Sequence, residues 1–401
     1  MKTINNFKLS YKKVLVRVDL NVPVTDGLIT ERSRIHAIKL TVKKLQEKKS
    51  KIFLLSHFGR PKGKRDVRYS LKFICETLKE EFGLSKIFFL DNLKDDEIQK
   101  IIIQMQPGDI CLFENIRFYE GEENNNSNFI KKLCNNFDIF SNDAFSASHR
   151  NHASIVSAPK YLPSFAGYNM EKEIKNIELF FNNSKKPNLA IIGGSKISTK
   201  IDMLYNLAKF FDTIVIGGAM ANTFLYAKNI DIGKSLCEKN LSETAISIIN
   251  HSKKYHCKII LPLDVVCADN FDDKINIRRS NINNILNDQM VLDLGVETIE
   301  LISRYIVKSN TILWNGPLGA FEHKPFDHSS VSIANIIKNN FNSFNKYIVA
   351  GGGDTISVIK LAKAEDGFSY ISKAGGAFLE WLEGKKSPGV KALLKNNYSS
   401  T

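Results

Sequence analysis

The sequence predicts an α/β protein with two doubly wound, parallel-sheet (Rossmann-like) domains joined by a connecting helix and hinge. Short apolar, β-branched runs alternate along the chain with segments whose apolar residues recur at helical spacing. This alternation is typical of βαβ units, in which helices cover both faces of a parallel sheet. The chain has 401 residues, 43% of them hydrophobic, which is long for a single core.

The first half of the chain contains five predicted strands with helices between them. The strands are expected at residues 14–19, 51–57, 86–90, 109–115 and 137–143. The helices are expected at residues 31–49, 71–82, 95–105 and 127–136. Residues 154–159 are interpreted as a last strand, before Pro159, Pro163 and Gly167 interrupt the pattern.

A domain boundary is predicted after residue 168. Residues 169–182 carry Met170, Ile174, Ile177 and Phe181 at helical spacing, and the turn NNSKKP follows them. We interpret this segment as a helix that connects the domains and acts as a hinge element. The expected domains are therefore 1–168 and 169–387, the second beginning with the connecting helix 169–183.

The second half repeats the strand–helix rhythm, with glycine at most strand ends. Strands are expected at residues 188–192, 213–216, 258–262, 311–314, 347–350 and 369–372. Five glycine-bearing turns follow predicted strands, at 193–196, 217–220, 315–317, 351–354 and 374–376. Ligands of parallel α/β sheets bind beyond the carboxyl ends of the strands, so these turns predict a binding edge.

The most informative of these turns lies in residues 347–357, which read YIVAGGGDTIS. Three glycines between a strand and a helix start would present backbone N–H groups and the positive helix end to a phosphate. Asp354 could hold a magnesium ion that the phosphate shares. Lys196 and Lys200, four residues apart, could face the same anion, and Glu322 could bind a ribose. The alternative is that the glycines form only a tight turn.

Arginine and other polar residues recur at the strand ends of the first half. The segments are RVDLNVP from Arg17, SHFGRP from Ser56, ENIR from Glu114 and SASHRNHA from Ser146, and Arg34 opens the first helix. Arginine binds phosphate and carboxylate oxygens two at a time, so a shared sheet edge would form an anion site. Taken singly, each arginine could instead form a surface ion pair.

Composition and missing motifs exclude several function classes. The formal charge of +14 allows nucleic-acid binding, but the lysines are dispersed and no recognition motif is present. No apolar run reaches the length of a membrane span or a signal core, and the six cysteines are scattered as in a cytosolic protein. The sequence has no P-loop, no HRD or DFG kinase motif, and no GxGxxG after the first strand.

Taken together, these segments resemble the phosphoglycerate kinase family from Val14 to Val390. The matching stretches, in the order of that family, are RVDLNVP, SHFGRP, FENIRF, SHRNHAS, GGSKISTK, IGGAMANTFL, LPLDVVCAD, TILWNGPLGAFE, GGGDT and LEGKKSPGV. The resemblance implies a monomeric, cytoplasmic glycolytic enzyme that transfers a phosphoryl group reversibly between MgATP and 3-phosphoglycerate. It implies Mg²⁺ as the cofactor, and neither a nucleic-acid nor a membrane partner.

The resemblance also implies roles for individual residues. The acid-binding residues would be Asp19, Leu20, Asn21, Arg34, His57, Phe58, Gly59, Arg60, Arg117 and Arg150. The nucleotide-binding residues would be Lys200, Asn315, Glu322, Gly352, Gly353, Asp354 and Thr355, with Asp354 at the metal. Catalysis would fall to Arg34, Lys196, Gly375 and Gly376. The tail, residues 388–401, is expected to pack back on the N-terminal domain.

This reaction needs no separate base, because the acceptor carboxylate is already ionised at neutral pH. The enzyme has to align the reactants and spread charge over the phosphoryl oxygens. Since the two ligand sets lie on different domains, a closing motion is expected.

The sequence departs from the family pattern at Ser195, Thr199, Val296 and Lys373. One alternative is another α/β kinase or synthetase acting on a phosphorylated acid. A second is a catalytically inactive binding protein with this fold, for which Thr199 and Lys373 leave room. A third is a protein with a second, nucleic-acid-binding role, which the charge allows and no motif supports.

Overall fold

The computed structural model describes residues 1–182, 184–272, 275–341, 346–396 and 398. The chain forms two compact units, residues 1–175 with 386–401, and residues 176–385. Residue 183 of the expected connecting helix and residues 397 and 399–401 of the expected tail lie outside the described residues.

The first unit is organised around one six-stranded parallel sheet. The strands of this unit, including two that lie outside the sheet, are β1 (Lys13–Arg17), β2 (Val24–Thr25), β3 (Leu28–Ile29), β4 (Lys51–Leu55), β5 (Phe88–Leu90), β6 (Ile110–Phe113), β7 (Ile139–Asn142) and β8 (Ser164–Ala166). The order is β5–β6–β4–β1–β7–β8, and β2 and β3 form a separate hairpin. The central strands are buried at almost every position, which explains their continuous apolar sequences.

Helices follow the strands of this unit as the sequence predicts, with local signals at their ends. They are α1 (Ser33–Ala37), α2 (Lys39–Glu47), α3 (Cys75–Phe82), α4 (Asp95–Gln104), α5 (Glu120–Glu123) and α6 (Ser127–Cys134). Asn126 caps α6 by accepting a 3.0 Å hydrogen bond from Phe129 N, and Gly83 ends α3 with a φ of 63°. The single helix predicted over 31–49 is two helices that meet at Ile38, where no glycine or proline marks the break.

The strand predicted at 154–159 is wrong. Residues Ala153–Ser157 form a buried π-helical turn, and the last strand is β8. Short apolar runs do not distinguish a buried turn of helix from a buried strand, because both lack a polar face.

Two further helices bear on the division of the chain. Helix α7 (Tyr168–Asn182) contains the point between Lys175 and Asn176 where the two units divide. The C-terminal helix Pro388–Leu394 packs in the first unit, where Gly389 N donates a 2.9 Å hydrogen bond to Ser148 O. A Cβ at Gly389 would lie 2.8 Å from Ile155, so the close approach requires glycine.

The second unit contains another six-stranded parallel sheet. The strands of this unit, including three that form a separate sheet, are β9 (Asn188–Ile192), β10 (Thr213–Ile216), β11 (Lys258–Ile260), β12 (Asp264–Ala268), β13 (Arg278–Asn281), β14 (Met290–Leu294), β15 (Thr311–Asn315), β16 (Tyr347–Gly351) and β17 (Tyr370–Ser372). The sheet order is β11–β10–β9–β15–β16–β17. All its neighbours are parallel, so the carboxyl ends of β9, β10, β15, β16 and β17, and with them the five glycine turns, share one edge.

Helices cover this sheet, and a small antiparallel sheet is added to it. The helices are α8 (Ile201–Leu207), α9 (Met220–Ala227), α10 (Ser242–Lys254), α11 (Val296–Lys308), α12 (His328–Asn340), α13 (Gly353–Leu361) and α14 (Gly376–Leu382). The antiparallel sheet, in the order β13–β12–β14, was not predicted. Its strand β13 reads RRSN and has no apolar alternation, so periodicity does not identify it. No helix in the described ranges combines the length and apolarity needed to cross a membrane.

Candidate functional site

Asp19 lies at the centre of a polar cluster in the first unit, just after β1. Its Oδ2 accepts hydrogen bonds from Arg34 and from the Ser146 hydroxyl, and its Oδ1 accepts one from Asn21 N at 3.0 Å. Burial alone would raise the pKa of Asp19, but the Arg34 guanidinium and these hydrogen bonds hold that pKa well below its usual range. The carboxylate is therefore ionised and orients Arg34, which remains about one-third exposed (35%).

The loops after β4 and β6 are tied to this cluster through backbone groups. Gly59 N donates to Asn21 Oδ1 at 2.9 Å, and Gly59 O accepts from Arg117 at 2.6 Å. Gly59 has a φ of 59°, and a Cβ there would lie 2.3 Å from the Tyr69 ring. Only glycine fits this position without strain, so the loop geometry is specified by the sequence.

Leu20 and Phe58 contribute mainly through their backbones. Leu20 N donates to Ser56 Oγ at 2.9 Å, and Phe58 O accepts from Asn115 Nδ2 at 2.7 Å. Leu20 is fully buried, whereas Phe58 is half-buried and packs against the core. These bonds fix the shape of the two loops that carry Asp19 and His57.

Arg117 is buried (1% exposed), with guanidinium nitrogens that lack hydrogen-bond partners in the described structure. Nε lies 3.4 Å from Glu123 Oε1, and NH2 has no partner among the described residues. Burial, together with the charges of Arg150 and Arg17, lowers the pKa of Arg117 to about 10. Glu123 therefore offsets part of the charge, but the N–H groups of NH2 still need an acceptor, which an oxygen-rich ligand would supply.

His57 is the buried histidine of this cluster. It is 4% exposed, and its Nδ1 lies 3.2 Å from Arg17 NH2. Burial and the charges of Arg17, Arg117 and Arg150 lower the pKa of His57 well below its ordinary value, although Asp19 opposes them. His57 is therefore neutral at physiological pH.

The two remaining predicted arginines differ in how closely they join the cluster. Arg150 is half-buried, and its charge contributes to lowering the pKa of Arg117 and of His57. Arg60 is exposed and makes no hydrogen bond or ion pair with the cluster within the described ranges.

In the second unit, Lys200 is almost enclosed by backbone and amide oxygens. Its Nζ donates to Gly193 O at 2.6 Å, to Asn315 Oδ1 at 2.7 Å and to Asn315 O at 3.2 Å. Burial lowers the pKa of Lys200 to about 8, while the charge of Asp354 acts in the opposite direction. A cation held by neutral oxygens beside one carboxylate can still attract a phosphate.

Asn315 and Thr355 join the turns at the ends of β15 and β16. Asn315 Nδ2 donates to Gly351 O at 2.6 Å, and Thr355 Oγ1 accepts from Gly316 N at 2.7 Å. Both side chains are buried. The sequence therefore identified two residues that shape the glycine turns from beneath.

The turn before α13 is open to a ligand. Gly352 has a φ of 101°, which favours glycine, and Gly353 begins the helix with empty space where its Cβ would be. Asp354 is exposed in the first turn of the helix. Free N–H groups at this helix start provide the predicted anion-binding geometry.

A cleft of about 490 Å³ lies beside this turn, within the second unit. Apolar residues dominate one part of its lining, and Asp354, Glu322 and Gly194 lie on it. The apolar members include Leu236, Pro262, Met290, Leu292, Leu318 and Ala320. An apolar slot next to a phosphate-binding turn suits a nucleotide, whose base is flat and apolar and whose tail is anionic.

The predicted catalytic residues of this unit lie at two strand ends. Lys196 is exposed in the loop after β9, where its carbonyl accepts from Thr199 Oγ1 at 3.0 Å. Gly375, with a φ of 53°, precedes Gly376 at the start of α14, and β17 pairs with β16. Lys373 is exposed in the same turn. No hydrogen bond within the described ranges links Lys196 to either glycine.

No group of three or more His, Cys, Asp or Glu side chains in the described structure is arranged to hold a metal ion. Asp354 is a single exposed carboxylate on the nucleotide-sized cleft. One carboxylate together with substrate phosphates is a common way of holding Mg²⁺, so the residues present fit a magnesium–nucleotide complex.

Four residues that the sequence did not identify as site residues support the first cluster. Arg17 and Ser146 contact His57 and Asp19 directly, and buried Glu122 and Ser154 lie behind Arg17. Arg17 lies in a segment that the sequence did single out. Glu122 lies in the polar run YEGEENNN, where nothing distinguishes a buried carboxylate from an exposed one.

Comparisons with known proteins are consistent with one another. The family model for phosphoglycerate kinase matches residues 4–385. The phosphoglycerate kinase of Rhizobium meliloti (strain 1021) is 45% identical over 397 residues, covering 99% of each chain. The phosphoglycerate kinase of Sinorhizobium fredii is 46% identical over 395 residues, covering 98% of this chain and 99% of its relative. The solved structure of phosphoglycerate kinase from Coxiella burnetii superposes with a TM-score of 0.90 at 34% identity, covering 99% of this chain and 100% of that one.

Proposed function

The chain belongs to the phosphoglycerate kinase family, and we propose that it catalyses reversible phosphoryl transfer between MgATP and the carboxylate of 3-phosphoglycerate. The products are 1,3-bisphosphoglycerate and MgADP, and the reaction belongs to glycolysis and gluconeogenesis. The observation that carries the proposal is the buried Arg117, whose NH2 has no partner among the described residues, in one unit of a chain whose other unit has a lysine–glycine turn beside a nucleotide-sized cleft.

The acid binds to the first unit, which we assign as domain 1–168 with the tail 388–401. The anionic oxygens of the acid accept hydrogen bonds from the free N–H groups of Arg117. They are also attracted by the charges of Arg34, Arg60 and Arg150. Neutral His57 supplies a hydrogen bond, while Asp19 and Asn21 orient Arg34 and the Gly59 loop. Leu20, Phe58 and Gly59 contribute backbone groups to the same pocket.

The nucleotide binds to the second unit, which we assign as domain 169–387. The base occupies the apolar cleft, and Glu322 accepts hydrogen bonds from the ribose hydroxyls. The phosphates bind to Lys200 and to the helix start at Gly352, Gly353 and Thr355. Asn315 keeps Lys200 in place. Asp354 would hold Mg²⁺, which would supply positive charge to the phosphate oxygens.

The transfer step needs positioning and charge rather than a general base. The carboxylate of the acid is ionised at neutral pH, so its oxygen attacks the terminal phosphorus of ATP directly. The bond from that phosphorus to the β,γ-bridging oxygen breaks as the new bond forms, and the bridging oxygen leaves as part of ADP. Arg34 and Lys196 offset the charge that develops on the transferred group, and the N–H groups at Gly375 and Gly376 bind its oxygens. Each of these groups binds the transition state more strongly than the separate reactants, which is the source of catalysis.

Because this proposal binds the two reactants on different units, transfer requires a hinge motion that brings the ligands together. Small-angle scattering with both substrates bound should then show a smaller radius of gyration than with either alone. The enzyme acts as a cytoplasmic monomer and needs neither nucleic acid nor a membrane surface.

A coupled assay tests the proposed function directly. Purified protein with 3-phosphoglycerate, ATP and Mg²⁺ should consume ATP, and replacing the acid with other phosphorylated acids should abolish turnover. Absence of turnover with 3-phosphoglycerate, in protein shown to be folded, would identify the chain as an inactive member of the family. Turnover only with a different acid would reassign the substrate.

A further inference from the structure

A continuous chain of buried side chains ends at the His57 ring in the first unit. Glu122 accepts hydrogen bonds from Ser154 N at 2.8 Å and from Ser154 Oγ at 2.6 Å. Arg17 Nε donates to the same Oγ at 2.9 Å, and Arg17 NH2 lies 3.2 Å from His57 Nδ1. Glu122, Ser154 and Arg17 have no exposed surface. We call these three residues and His57 the Glu122 chain.

The chemistry of arginine fixes the direction of every bond in the Glu122 chain. A guanidinium has five N–H donors and no acceptor. Ser154 Oγ must therefore accept from Arg17 and use its own proton toward Glu122. His57 Nδ1 must likewise be an unprotonated acceptor, so the proton of the neutral ring is on Nε2.

The charges around the ring favour the same state. Arg17 and Asp19 face His57 from the end of β1, Arg117 from the turn after β6, and Arg150 from the loop after β7. Burial and the three arginines lower the pKa of His57, and only Asp19 opposes them. A ring kept neutral among arginines can donate one hydrogen bond without adding a charge.

The end of the Glu122 chain away from His57 is the Glu122 carboxyl group itself, which lies among arginines and a histidine. Burial raises the pKa of Glu122, and the charges of Arg17 and Arg117 and the bonds from Ser154 oppose that rise. His152 Nδ1 lies 3.8 Å from Glu122 Oε1, and burial with nearby arginines lowers the pKa of His152 to about 3. Among the charges near Arg17, that of Glu122 does most to oppose the lowering of the Arg17 pKa by burial.

Within the described residues, His57 Nε2 has no protein hydrogen-bond partner. We propose that Glu122, Ser154 and Arg17 are positioning residues that hold His57 as the neutral tautomer protonated on Nε2, which donates a hydrogen bond to an oxygen of the acid substrate. The identity of that acid rests on the proposed function, but the state of the ring does not.

The proposal predicts how acid binding depends on pH. While the Glu122 chain is intact, His57 does not titrate near neutrality. The affinity for 3-phosphoglycerate therefore stays constant between about pH 6 and 8, once the ligand's own ionisation is accounted for. When the Glu122 chain is broken, Arg17 is no longer held against Nδ1, so the ring can exchange tautomers and the charge of Asp19 can draw a proton to it within that range. Acid binding then becomes pH-dependent, whereas nucleotide binding on the other unit does not.

Nitrogen-15 spectroscopy of the histidine rings, without ligand, reads the tautomer directly. The His57 signals are assigned by their loss in His57→Gln. Wild-type protein should show the pattern of a proton on Nε2 and no titration between about pH 6 and 8. In Ser154→Ala, the ring should show mixed tautomers or titrate in that window. Its KM for 3-phosphoglycerate should rise about five- to tenfold, with KM for ATP unchanged within about twofold.

Ser157→Ala is the matched control. Ser157 is a buried serine on the same π-helical turn, but its hydroxyl donates to Asn125 Oδ1 at 2.9 Å instead of contacting Arg17. This variant should keep the wild-type ring spectrum and both KM values. If Ser154→Ala does not fold, Glu122→Gln replaces it, because its side chain has the same size and offers Ser154 only one acceptor.

A wild-type His57 with its proton on Nδ1, or one that titrates between about pH 6 and 8, would overturn the proposal. So would a folded Ser154→Ala protein with the wild-type tautomer and an unchanged pH profile. A wild-type ring in the predicted state without turnover of 3-phosphoglycerate would leave the Glu122 chain standing and reject the proposed substrate.

Discussion

Lys200 and Asn315 form a 2.7 Å hydrogen bond that joins the loop after β9 to the end of β15. The other two oxygens around Nζ are backbone carbonyls, so no carboxylate among the described residues is bonded directly to the lysine. The ammonium is nevertheless largely removed from water, which lowers its pKa to about 8. Its charge is therefore both available to an incoming phosphate and sensitive to pH.

Nucleotide affinity should fall as the pH rises above about 8. The protonated lysine attracts phosphate, and the free enzyme loses this proton near pH 8, so each further pH unit should weaken MgADP binding by up to about tenfold. Calorimetric titration at pH values from about 7 to 9.5 measures this. In Lys200→Arg the charge persists across the range, so its affinity, whatever its absolute value, should be flat. A wild-type affinity independent of pH would contradict the assignment of Lys200.

Two glycines on the same sheet edge should respond differently to alanine. A Cβ at Gly193 would lie 1.9 Å from the Pro317 carbonyl oxygen, so Gly193→Ala must displace backbone and should cost about 2 kcal/mol or more of stability. A Cβ at Gly353 meets nothing within 4 Å. Gly353→Ala should therefore fold normally but raise KM for ATP, because its methyl group occupies the space of a phosphate. Thermal unfolding and steady-state kinetics on both variants separate the two effects, and equal melting temperatures would show that the Gly193 contact relaxes freely.

Asp143 should make the first unit less stable as the pH rises from 5 to 7. This carboxyl is fully buried beside the start of α7, where Oδ1 accepts from Met170 N at 3.0 Å and Oδ2 has no partner in the described structure. Burial raises its pKa to about 7, so the folded protein holds a proton that the unfolded chain has already released above about pH 4. Stability is therefore lost as the pH rises toward 7, by about 1 kcal/mol per pH unit.

Asp143→Asn tests this linkage, because an amide does not titrate. Denaturant unfolding at pH 5, 6 and 7 should give a slope of the unfolding free energy against pH that is more positive in the variant than in the wild type, by about 1 kcal/mol per unit, because the loss due to Asp143 is removed. Parallel slopes in the two proteins would mean that Asp143 is ionised throughout.

Lys373 should contribute little to catalysis. It is exposed in the turn between β17 and α14, at one of the positions where the sequence departs from the family pattern. A flexible lysine that points into water is screened from the transferred group, so Lys373→Thr should lower kcat only slightly. A fall of more than about tenfold, equivalent to 1.4 kcal/mol of barrier, would make Lys373 a catalytic residue.

Strand ends explain why much of the candidate site could be predicted from the sequence. A parallel sheet places all its carboxyl ends on one edge, so a correct strand pattern is enough to group Asp19, His57 and Arg117 in one unit. In the other unit it groups Gly193 with Asn315 and Gly353. The five glycine turns were located in this way because glycine leaves a signal that does not depend on tertiary packing.

The features that the sequence did not predict depend on burial. Glu122 occurs in a polar run, and its enclosure follows from contacts with Ser154, 32 residues away in the chain. The lowered pKa of Lys200 likewise reflects how tightly the turns close around it. Strand β13 was missed because its sequence has no apolar alternation and because, in the described part of the chain, it is an edge strand paired with β12.

Measuring the binding of each ligand separately tests the central claim, that the acid binds to the arginine cluster and the nucleotide to the lysine–glycine turns. Calorimetric titrations with 3-phosphoglycerate and with MgADP should be run on Arg117→Lys and Lys200→Met. Arg117→Lys should weaken binding of 3-phosphoglycerate by about tenfold or more and leave the affinity for MgADP unchanged, because lysine cannot supply the planar pair of donors. Lys200→Met should weaken binding of MgADP and leave the affinity for 3-phosphoglycerate unchanged. Loss of both ligands in either folded variant, or loss of neither, would contradict the account.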